Sequence, residues 1–108
     1  MALWIELLVA GLGGLQGALF AAAVVRDALG PDRFESMATP IAAAEDFSRV
    51  LNQVPGCYLH LGASAADDPA TAATNHGPYA VFHDSVLADA SFVLAELARR
   101  ALDRLAAS

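Results

Sequence analysis

The chain contains no lysine: all six basic residues are arginine, against twelve acidic residues, for a net charge of −6. A phosphate backbone would be repelled by that balance, and no basic stripe with interleaved aromatics relieves it, so nucleic acid is not an expected partner. Cysteine is nearly absent too. Cys57 is the single one, which excludes an intrachain disulfide and any CxxC ligand pair, and fits a reducing cytoplasm. Internal repeats are absent. A length of 108 residues bounds the chain to one domain, near the size where folding buries only about 60–70% of the unfolded surface.

What is abundant is alanine and leucine. Much of the 56% hydrophobic content is alanine, which contributes little transfer free energy and raises helix propensity, so helix should dominate. The opening "MALWIELLVAGLGGLQGALFAAAVV" is almost continuously apolar, and Leu7 to Val25 would just reach across a bilayer. No basic residue precedes the run, Glu6 sits at its start, and four glycines and Gln16 interrupt it. A signal peptide or membrane span would have the opposite flanks, so the balance favours a buried helix or a non-native N-terminus.

Further along, Leu15, Leu19, Ala22 or Ala23, Ala28 and Leu29 recur at helical spacing until Gly30-Pro31 stops the helix, glycine at C′ and proline unable to continue. "RFESM" reads as a short strand. Pro40 discourages helix upstream of it, Glu45 and Asp46 supply negative charge at a helix start, and Phe47, Val50, Leu51 and Val54 form an apolar face before Pro55-Gly56. "CYLHLG" then reads as a strand. Residues 63 to 79 make a loop longer than the usual limit of about 12–15, which marks it as functional or disordered. Asp84 or Ser85 can cap a final helix over 86–106, with Leu87, Ala90, Leu94, Leu97, Ala101 and Leu105 inward and Glu96–Arg100 paired at (i, i+4). The order is α/β and helix-rich, yet two strands alone are marginal in water, so the chain reads as part of something larger.

Three blocks in fixed order carry a resemblance. They are "LGPDRFESMATPIAAAEDFSRVLNQVPGCYLHLG", a small-residue loop, and "NHGPYAVFHDSVLADASFVLAELA". Together they resemble the C-terminal end of the di-metal metallopeptidases and amidohydrolases, the family of aminoacylase, hippurate hydrolase and carboxypeptidases, and most of all its auxin-conjugate hydrolase branch. The carriers are Pro40, Glu45-Asp46-Phe47, Val54-Pro55-Gly56, Leu61-Gly62 and the histidine turn at His76, and the likeness spans roughly residues 18 to 105. The resemblance implies a partial three-layer peptidase-type catalytic domain, its C-terminal helices plus two or three strands, over residues 18–108. The lid domain is absent, and residues 1–17 are a divergent apolar N-terminus.

It also implies a chemistry: hydrolysis of the amide bond of N-acyl amino acids, with two divalent ions (zinc, manganese or cobalt) polarising a water and a glutamate taking its proton. His76 stands where the family places a metal ligand, on a turn in which Gly77 and Pro78 can fix a neutral imidazole. The other ligands, the general base and the lid have no counterpart here. Ala42-Ala43 replace the usual Met-Gly, His83 an Asp or Asn, and Cys57 an alanine. The implied molecule is therefore the C-terminal portion of a cytoplasmic amidohydrolase, inactive alone, with an upstream fragment or a second copy as partner. The rival expectation is a small membrane-tethered or partner-binding protein using the N-terminal apolar run. His60 is expected as a hydrogen-bonded strand residue, His83 as an exposed cap neighbour, Glu45 and Asp46 as turn-forming, and Cys57 as inert.

Overall fold

A computed structural model describes residues 3–6, 14–36 and 46–108. Leu3–Glu6 forms a strand, β1, followed by helix α1 over Gly14–Leu29. Gly30 closes α1 with its N–H on the Arg26 carbonyl (2.9 Å) and takes φ +101°, where a side chain would be strained. Pro31–Arg33 then makes one 3₁₀ turn into strand β2, Phe34–Ser36. A short helix α2 (Phe47–Leu51), strand β3 (Tyr58–Leu61) and the long helix α3 (Val86–Ala106) complete the chain.

Among the described residues the sheet has three strands in the order β2-β1-β3, with Leu3–Glu6 in the middle. Leu3 lies opposite Phe34 in the parallel pair and opposite Leu61 in the antiparallel one. Parallel neighbours need a crossover between them, and α1 supplies it, giving a β1-α1-β2 unit. The strand count falls within the two or three expected, and Leu3–Glu6 pairs on both sides. Among the described residues no helix is long and apolar enough to cross a membrane. Residues 7–13 of the apolar run lie outside the described residues, as do Pro40, Ala42, Ala43 and Glu45.

α1 packs through its small residues. Ala18, Ala21, Ala22 and Val25 are buried at (i, i+3, i+4, i+7) spacing, while Leu19, expected inward, is 62% exposed. The reason is close approach. A Cβ placed on Gly17 would stand 2.8 Å from both the carbonyl carbon and oxygen of Gly56, so helix backbone lies against loop backbone and only short side chains fit nearby. Phe34 and Leu97 each pack on both parts of this core, the alanine cluster and the Val25–Val93 pair. The Arg26 guanidinium covers the outer face of the Phe34 ring at 4.4 Å.

α3 lies against α1 and begins and ends where its periodicity predicts. Its buried residues are Val86 and Val93, with Leu97 partly buried, whereas Leu87, Leu94 and Leu105 of the expected inward face are 59%, 66% and 71% exposed. Two ion pairs fix the helix: Arg100 to Asp27 of α1, and Arg33 to Asp89, each at 2.7 Å. The expected side-chain cap does not form. Ser85 is already helical (φ −58°, ψ −19°), out of position to cap, and the chain enters the helix through a turn in which the Leu87 N–H meets the Asp84 carbonyl at 3.0 Å. α2 is likewise shorter than its pattern suggested. Of its apolar face only Leu51 is buried; Val50 and Val54 are exposed, and Phe47, 36% exposed, packs on the Tyr58 ring.

Candidate functional site

The loop between β3 and α3 holds the sequence's candidate ligand. It is tied at its base, where Ser64 bridges Phe82, the Ala65 N–H meets the Val81 carbonyl (3.2 Å) and the His83 N–H meets the Ala63 carbonyl (2.8 Å). Inside that base the chain makes its own turns. The Asp68 carboxylate accepts the Ala70 N–H at 3.0 Å, opening a 3₁₀ turn at Pro69–Thr71, and the Gly77 N–H closes on the Thr74 carbonyl at 2.8 Å. The segment is thus a tied excursion with internal hydrogen bonds rather than a structureless loop.

His76 sits in the Thr74–Gly77 turn and is exposed. Neither of the other histidines is brought to it as a co-ligand: among the described residues no three His, Cys, Asp or Glu side chains stand close enough to hold a metal ion. The donors among the described residues do not make a metal centre by themselves, since such a centre needs three or four ligands at about 2.0–2.3 Å. His60 is half-buried in β3, edge-on to Tyr58 with ring centres 4.9 Å apart, and Tyr58 in turn meets Phe47 at 5.5 Å. His83 is exposed and acts through its backbone at the loop base. Asp46 is exposed, its carbonyl accepting the Arg49 N–H at 3.0 Å. Cys57 is half-buried beside the alanine cluster, and burial pushes its thiol up, away from a reactive thiolate.

A second feature was not apparent from the pattern. The apolar flank of α3, the start of α1 and the segment leading into β3 border an open groove of about 800 Å³, lined by Phe20, Phe47, Pro55, Leu94, Leu97 and Leu105. Arg104 stands at its rim with its guanidinium 4.5 Å from the Phe20 ring centre. The signal was present in the sequence as an apolar stripe on α3 too wide for one contact, running from Val86, Val93 and Leu97 round to Leu87, Leu94 and Leu105.

The charged side of α3 is organised as a chain of arginines and carboxylates. Glu96 accepts from Arg99 through both carboxylate oxygens (3.0 Å each) and from Arg100 Nε at 2.9 Å. Those hydrogen bonds hold its pKa down to about 2, with the positive charges adding to the effect. Arg99 also reaches Asp103 at 2.9 Å. No family model matches the chain, and neither a curated protein nor a solved structure does.

Proposed function

We propose that this chain supplies the C-terminal portion of a metal-dependent amidohydrolase acting on N-acyl amino acids or related small amides, and that it is inactive alone. The observation that carries the reading is the ordered series Pro40, Glu45-Asp46-Phe47, Val54-Pro55-Gly56, Leu61-Gly62 and the His76 turn. Two features of the fold support it. His76 lies in a hydrogen-bonded turn of a tied loop, and Leu87, Phe92 and Leu102 of α3, outside the groove, stay exposed where further polypeptide could cover them. The finer reading of the α/β fold, a piece of a three-layer peptidase-type catalytic domain without its lid, belongs to this proposal. So do a divalent ion (zinc, manganese or cobalt) bound by the completed assembly, a cytoplasmic location, and a complementing polypeptide or second copy as partner.

His76 would donate one ligand to that ion, and the segment around Asp46 and Phe47 would shape the pocket floor. No step of the reaction is assigned to residues of this chain beyond that ligand. The test is co-expression with the polypeptide encoded immediately upstream. A complex that hydrolyses N-acyl amino acids with added divalent metal supports the reading; turnover by the pure chain overturns it.

A further inference from the structure

The groove beside α3 has a charge pattern that the chain as a whole does not share. Acidic residues outnumber arginines two to one in the sequence, yet among the described residues no aspartate or glutamate side chain lines the groove, and the ionic side chain there is Arg104. The neighbouring arginines of α3 are occupied. Arg99 is held by Glu96 and Asp103, and Arg100 by Glu96 and Asp27. Arg104 pairs with no carboxylate among the described residues and rests its guanidinium on the Phe20 ring instead. Cation–π contact holds the guanidinium at the rim while leaving its in-plane N–H donors open to an anion.

Size and lining agree with that chemistry. Small-ligand sites have volumes of about 300–1,000 Å³, mostly apolar walls and a few polar groups that set orientation. Here the walls come from Phe20, Phe47, Pro55, Leu94, Leu97 and Leu105, and the orienting group is Arg104. We infer that the groove binds a free fatty carboxylate, its alkyl chain along the α1–α3 walls and its carboxylate on the Arg104 guanidinium. The inference rests on the groove alone and does not depend on the amidohydrolase reading.

The experiment is isothermal titration calorimetry of the full chain with dodecanoate, dodecanol and dodecyltrimethylammonium below their aggregation concentrations, repeated on Arg104→Gln and on Leu94→Glu. Dodecanoate should bind saturably and the alkylammonium should not. Arg104→Gln should weaken dodecanoate about three- to tenfold while leaving dodecanol unchanged, and Leu94→Glu should abolish binding with the circular dichroism spectrum intact. Equal affinity for dodecanoate and dodecyltrimethylammonium in the wild-type chain would overturn the assignment. So would an unchanged Kd in Arg104→Gln, or sedimentation showing the groove closed by a second copy with no carboxylate taken up.

Discussion

Gly17 and Gly56 meet backbone to backbone: a methyl group on Gly17 would lie 2.8 Å from the carbonyl carbon and oxygen of Gly56. This contact sets how near α1 can come to the segment leading into β3, and the buried alanines beside it follow from that distance. Gly17→Ala should therefore destabilise the fold by about 1–3 kcal/mol in urea melts, because backbone cannot step aside as a side chain can. Helix propensity alone would give the opposite sign, by about 1 kcal/mol. Gly56→Ala, which would meet only the flexible Cδ2 of Leu51 at 3.2 Å, should cost less.

The direction in which α3 faces can be checked at two adjacent positions. Val93 is 2% exposed and packs with Val25, whereas Leu94 next to it is 66% exposed. Val93→Ala should lower stability by about 2 kcal/mol and Leu94→Ala by less than about 0.5. Equal losses would mean that α3 is rotated toward the face first expected from its periodicity.

Glu96 gives a pH prediction with a definite sign. Its folded pKa is depressed to about 2 by hydrogen bonds from Arg99 and Arg100, from an ordinary value of 4.5. Its contribution to stability is therefore complete above the ordinary value and is lost as pH falls from there through about 2. Glu96→Gln should flatten the dependence of the urea midpoint on pH within that window and leave its slope above pH 6 unchanged. A variant whose midpoint falls with acid as steeply as the wild type would show that Glu96 is not the group responsible.

Much of the fold was legible in local pattern, and the errors have physical causes. α3 could be bounded at 86–106 because a 21-residue amphipathic period is strong, β3 because turn residues flank a short apolar run, and β2 because Phe34 stands among polar neighbours just after Gly30-Pro31. β1 was hidden because "LWIE" shows no strict alternation and merges with the apolar residues after it. The buried side of α3 was misjudged because apolar residues cover both the core contact and the groove wall, and pattern alone cannot say which of them has a neighbour. The His76 turn could be read from Asn75, Gly77 and Pro78, but a site assembled from distant chain cannot, since ligand spacing is informative only when the ligands share one segment.

An exposed imidazole without co-ligands among the described residues should bind divalent metal no better than an ordinary surface histidine. Titrating zinc or manganese into the pure chain should give no sub-micromolar site, and N-acyl amino acids should remain uncleaved.

The central claim, that His76 completes a metal centre furnished by other polypeptide, is tested most directly by co-purifying this chain with its upstream-encoded neighbour, as wild type and as His76→Asn. The expected result is a stoichiometric complex that holds divalent metal and hydrolyses N-acyl amino acids, with both properties falling at least about tenfold in His76→Asn while the complex itself survives. Failure of the two chains to associate, or a His76→Asn complex that keeps its metal and its turnover, would contradict the account.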